Sequence, residues 1–320
     1  VRHSWIGALV GVLLVATHGG SPKAWAADPP ECRTVRLADI GWVDVAATTA
    51  LTAHILTDLG YTPVIVPLSV PATYEALKAK SLDVFLGNWM PGMAAARKPY
   101  DDDKSIDVIG PNLQGAKYTL AVPHYLWARG LHDFQDVAKF GRQLGFKIYG
   151  LEAGNEGNQH LRQLIGDKRF GFDAFTLVEE SEPHLLAHLR HAYHARRPIL
   201  FLGWEPHPMN RYYRLDYLTG GDDLFGPNFG AASVFTNVRA GYAAACPNVA
   251  KLLANETFSL AQEDAIMALI LGRKMPPAKA AAAWLRTNKG APRAWLDGVT
   301  TFDGKPVPQV LVDLSFQTWR

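Results

Sequence analysis

Two short runs place a tryptophan where an apolar strand gives way to a turn closed by proline: FLGNWMP over residues 85–91 and FLGWEP over residues 201–206. A third tryptophan, Trp42, ends the apolar stretch TVRLADIGW two residues before Asp44. An indole face attracts cations through its ring quadrupole, most strongly where water is excluded. A quaternary ammonium suits such walls, because its methyl groups spread positive charge and offer no N–H to an ordinary acceptor. Each good contact contributes about 0.5–2 kcal/mol. Four walls, counting Tyr118 near the start of KYTLAVP, approach the roughly 8 kcal/mol that micromolar binding requires. A sugar also stacks on aromatic faces but needs many polar partners, and the strand ends supply only Asp44, Asn155 and Glu205.

Asp44 and Asn155 are the polar candidates. A carboxylate at 44 facing the aromatic walls would accept a hydrogen bond from an alcohol and attract the cation, and Asn155, within AGNEGN, could donate to or accept from the same hydroxyl. Plainer roles compete. Asp44 could cap a helix beginning near Val45, Asn155 could stabilise a glycine-rich turn, and a single strand-end tryptophan is commonly a packing residue. Three tryptophans at matching places favour a shared cavity. Trp284 and Trp295 fall in helix-like stretches and are expected to pack, while Trp127 is expected in a loop or on a lobe surface.

These residues need elements to hold them. TVRLADIGW predicts a buried strand, and AATTALTAHILTDLG a helix with Leu51, Ile55 and Leu59 on one face and Gly60 as its stop. TPVIVPL, PATYEALKAK and DVFLGNW continue the pattern as strand, helix and strand, which is the signature of a parallel sheet. A second series follows: strands at KYTLAVP, KIYGLE, FTLVEE and PILFLGW, with helices at DFQDVAKFGRQL, NQHLRQLIGDKR and EPHLLAHLRHAYHARR between them. A turn-rich passage then leads to one late strand, ASVFTNV, and to helices. The expected fold is α/β, a two-lobe flytrap with two segments crossing between lobes near residues 112 and 215. Lobe I takes 27–112 plus 216–320, and lobe II takes 113–215. In open parallel sheets, ligands lie beyond the carboxyl ends of the strands, where Trp42, Asp44, Trp89, Asn155 and Trp204 fall.

The first 26 residues, with Arg2, an apolar run from Ile6 to Ala16 and the small-residue end Ala24-Trp25-Ala26, predict a signal peptide cut after Ala26 and a periplasmic protein. Export into an oxidising compartment predicts that the two cysteines, Cys32 and Cys246, pair. A net charge of +2 without long basic runs excludes a nucleic-acid partner. An exported hydrolase using the same cleft is the alternative from another class, but no G-x-S-x-G or H-E-x-x-H occurs, and no catalytic residue, cofactor or metal is expected. His184, His188, His191 and His194 recur at helical spacing beside arginines, as on a solvated helix face, and adjacent Glu179 and Glu180 in a strand point to opposite sides.

The segments ADIGWVDVAATTA, SLDVFLGNWMP, GAKYTLAVP, LEAGNEGN and FLGWEPHPMN, in this order and spacing, resemble periplasmic choline-binding proteins of ABC importers, within the glycine betaine/choline substrate-binding family. The resemblance runs from about Arg33 to about Leu285. It implies a monomeric binding protein that closes over choline or a related quaternary ammonium and delivers it to a membrane permease. It also implies an aromatic box of Trp42, Trp89, Tyr118 and Trp204, a choline hydroxyl held by Asp44 and Asn155, and a cysteine pair at Cys32 and Cys246. Glycine betaine would set its carboxylate against Asp44 as a like charge, and acetylcholine lacks the hydroxyl donor; both are expected to rank below choline.

Overall fold

The computed structural model describes residue 1 and residues 27–307, so the expected signal peptide and its cut after Ala26 lie outside the described residues. Among the described residues nine strands run in chain order: β1 (Thr34–Asp39), β2 (Thr62–Pro67), β3 (Val84–Met90), β4 (Ile106–Pro123), β5 (Lys147–Tyr149), β6 (Thr176–Val178), β7 (Phe201–Glu205), β8 (Leu215–Tyr217) and β9 (Ala231–Arg239). They form one hydrogen-bonded path in the order β2-β1-β3-β9-β4-β7-β5-β6, with β8 pairing β4.

The parallel pairs β1–β2 and β1–β3 build one half, and β5–β6 and β5–β7 build the other. β4 and β9 join them. β4 is antiparallel to β9 along Ile106–Lys117 and to β7 along Lys117–Ala121, while β9 also pairs β3. This is the two-lobe α/β arrangement of flytrap binding proteins, with sheet segments that continue from half to half. The expected strand KYTLAVP is only the last part of β4, whose pairing with β9 begins at Ile106.

Helices cover the sheet. The one at Val43–Asp58 buries Val45, Leu51, Ile55 and Leu56 and packs against the helices Leu260–Arg273 and Pro277–Thr287, so the C-terminal part of the chain completes the first half. β3 is buried along its length except at Met90, as a near-continuous apolar run in an interior strand should be. β2 lies at the edge with Val64 and Ile65 exposed and Pro63 and Pro67 near its ends, where a missing N–H donor costs no ladder bond.

The helix expected at DFQDVAKFGRQL is instead a 3-10 segment, Phe134–Phe140, followed by a short turn of α-helix, Gly141–Leu144. Phe134, Val137 and Phe140 are buried at a spacing of three, the period of the tighter helix. Cys32 and Cys246 are bonded across 214 residues, with Cα atoms 5.6 Å apart. The bridge ties the turn before β1 to the start of the helix Pro247–Asn255. Trp284 and Trp295 are buried in the core, whereas Trp127 is exposed beside His124 and His132.

Candidate binding site

The helix that carries Asp44 begins at Val43, earlier than its sequence periodicity indicated, and Trp42 occupies its N-cap without a side-chain hydrogen bond. Asp44 therefore sits in the first turn, and its Oδ2 accepts a 2.9 Å hydrogen bond from Trp89 Nε1. Trp89 comes from the end of β3, and Trp204 from the end of β7 directly opposite Tyr118 of β4. Both repeated motifs continue into a cis X-Pro bond, Met90–Pro91 and Glu205–Pro206.

Trp42, Asp44, Trp89, Tyr118 and Trp204 line one hollow together with Leu151, Glu156 and Glu182. The space between these side chains, including its mouth, is about 310 Å³. All four aromatic residues are buried. The rings of Trp89 and Tyr118 meet edge-on at 6.4 Å, and Phe225 backs Tyr118 at 6.2 Å, the edge-to-face geometry favoured by ring quadrupoles.

Asn155 stands behind this lining. It is the N-cap of the helix Glu156–Gly166, where its Oδ1 accepts the Gly157 N–H at 2.9 Å and the Tyr118 hydroxyl at 2.6 Å. Its Nδ2 is buried without a partner. Glu205 pairs with Lys117 at 3.1 Å and is not part of the lining. Gly157 is needed for close approach: a Cβ there would lie 2.3 Å from the Tyr118 hydroxyl.

The lining carries three carboxyl groups, Asp44, Glu156 and Glu182, and no lysine or arginine among the described residues. Burial, helped by the like charge of Glu182, pushes Asp44 up to about 6 against the opposing pull of the Trp89 hydrogen bond. Burial likewise lifts Glu156 to about 7. Glu152, which accepts a 2.9 Å bond from Trp42 Nε1, is also raised, chiefly by burial. Such a hollow stabilises positive charge and resists negative charge.

Glu156 and Glu182 escaped the reading of the sequence. Glu156 was legible as the neighbour of Asn155 in AGNEGN, but Glu182 opens its own helix and nothing local indicates that it reaches Val43. The histidine series lies along an exposed groove outside this site, with His188 against Glu180. Glu179 accepts from Asn158 Nδ2 at 2.8 Å and from Arg162. Among the described residues no helix is long and apolar enough to cross a membrane.

Two lobes joined by continuous strands, with aromatic side chains from both halves of the sheet around one hollow, define a solute-binding protein. The chain belongs to the family of substrate-binding domains of ABC-type glycine betaine transport systems, whose profile matches residues 33–287. It is thus a periplasmic-type receptor of an ABC importer and not an enzyme. A solved ABC-transporter choline-binding protein in complex with choline is 50% identical and superposes with a TM-score of 0.86, covering 89% of this chain and 98% of that one. The glycine betaine/carnitine transport binding protein GbuC of Listeria monocytogenes is 28% identical over 179 residues, 56% of this chain and 57% of its own. Lactococcal OpuAC, in its closed conformation with glycine betaine, shares the fold at 23% identity and a TM-score of 0.74, covering 82% of this chain and 98% of its own.

Proposed function

We propose that this protein captures choline between its lobes and presents it to an ABC permease. One observation carries the choice of ligand: the aromatic hollow is lined by three carboxyl groups with no basic side chain to receive an anion. The trimethylammonium head would sit among Trp42, Trp89, Tyr118 and Trp204. Its hydroxyl would donate to Asp44, whose Oδ2 already takes the Trp89 N–H, and accept from the unpaired Nδ2 of Asn155. The relative solved with choline at 50% identity supports the same ligand. The lobes are taken as residues 27–112 with 216–320, and 113–215. Glycine betaine is the second reading, favoured by the family profile; its carboxylate would meet the acidic lining without a guanidinium partner, which places it below choline.

Tryptophan fluorescence titrated with choline, glycine betaine, carnitine, acetylcholine and proline tests this. Choline is expected to bind most tightly, with proline silent. Betaine binding as tightly as choline would overturn the ligand choice, and a response to none of the quaternary compounds would overturn the function.

A further inference from the structure

The first four N–H groups of a helix lack partners within it, and a local cap normally satisfies some of them. The helix Val43–Asp58 has no such cap, because Trp42 offers no acceptor. Its Val43 N–H donates instead to Glu182 Oε2 at 3.1 Å, from a residue 139 positions away in the chain. Glu182 is 4% exposed and lines the hollow. Its other oxygen, Oε1, lies 3.4 Å from His207 Nε2, an electrostatic contact outside hydrogen-bond geometry. His207 Nδ1 accepts the Met209 N–H at 3.0 Å, which leaves Nε2 as the ring nitrogen turned toward Glu182. The same imidazole lies 4.8 Å from the Trp204 ring.

We propose that Glu182 is a positioning residue that holds the site closed: one carboxyl group takes the N–H of the helix start bearing Trp42 and Asp44 and sets it against the histidine behind Trp204. The proposal rests on the functional reading above, in whose lobe division Val43 and Glu182 belong to different lobes. The bond exists only when the lobes meet, so Glu182 sets how long a bound cation stays through this tie as well as through its place in the lining. Trp42 Nε1–H, which donates to Glu152, crosses in the same sense and adds to the closure.

Stopped-flow fluorescence with choline chloride separates the rate constants. Glu182→Ala leaves the Val43 N–H buried and unpaired, and its dissociation rate constant is expected to rise roughly tenfold, the factor for one orphaned buried donor. Its association rate constant should stay within about threefold, as is usual for changes that act after encounter. Glu182→Gln keeps an oxygen for the Val43 N–H and removes only the charge from the lining, so its dissociation rate constant should rise clearly less than that of Glu182→Ala. Unchanged dissociation in Glu182→Ala, or equal losses in the two variants, would overturn the proposal. Should Glu182→Ala fail to fold, His207→Phe, which keeps a ring behind Trp204 but loses the Nε2 contact with Glu182, is expected to speed dissociation by about threefold; no change there overturns the contact's part in the closure. Small-angle scattering of the ligand-free proteins gives a second arm. Glu182→Ala should have the larger radius of gyration, and equal radii would overturn the closure role. That arm does not depend on the ligand, so a parent protein that binds no quaternary ammonium would sink the functional reading alone.

Discussion

Asp44 is asked both to receive an indole N–H and to balance a cation, and the side chains around it suit only part of that. Burial and Glu182 raise it to about 6, above its value of about 3.9 in an unfolded chain. The folded, ligand-free protein therefore binds this proton more tightly than the unfolded chain does, and stability falls as pH rises from about 4 to about 6. A bound cation favours the ionised form and pulls this value down in the complex. Choline affinity is expected to drop about tenfold between pH 7.5 and pH 5, and the gain in melting temperature on adding choline should be larger at pH 7.5. Calorimetric titration across that range measures it. Asp44→Asn should remove the part of the acid limb that falls near pH 6, leaving the part near pH 7 that belongs to Glu156, and should weaken choline far more than betaine. Equal losses for the two ligands would remove Asp44 from the recognition of the hydroxyl.

At the scale of elements, the site depends on strand register and on one close approach. Tyr118 and Trp204 are direct partners across β4 and β7, so a slip of one residue would send one ring to the opposite face of the sheet. The helix Glu156–Gly166 comes close enough to Tyr118 that position 157 has no room for a side chain. Gly157→Ala should push the tyrosine off its Asn155 bond, destabilise the protein by about 1–3 kcal/mol through overpacking, and weaken choline at least tenfold. Thermal melts and titration of the same preparation check both effects; a variant that melts and binds like the parent would show that the helix yields at no cost. A good deal at this scale was legible. Alternating apolar runs and glycine or proline stops located most strands, because those signals are local. The 3-10 segment Phe134–Phe140 was read as an ordinary helix because periods of 3 and 3.6 hardly differ over seven residues.

For the whole molecule, the bond between Cys32 and Cys246 closes a long loop of the described chain, with the two cysteines 214 positions apart. Loop closure on that scale is worth about 5 kcal/mol in the unfolded state. Replacing both cysteines by alanine should lower stability by about 2–5 kcal/mol in urea unfolding, while choline affinity at 25 °C stays within about twofold, because the bridge lies between the turn before β1 and the helix Pro247–Asn255 and not in the lining. A stability loss below 1 kcal/mol would mean that the unfolded chain is already compact near these two positions.

The sequence alone determined the chemistry: strand-end tryptophans at Trp42, Trp89 and Trp204, an acid at Asp44, and a β-α-β order that places strand ends on a common side. Those features are carried by residue type and short spacing, which survive without coordinates. Only the tertiary structure decided which side chains meet. It set Asn155 behind the lining as a helix cap, brought in Glu156, and carried Glu182 across 139 positions to the Val43 amide. The physical reason is that a hydrogen bond depends on distance in space, and the separation along the chain says nothing of that distance until β4 and β9 have fixed how the two halves face each other.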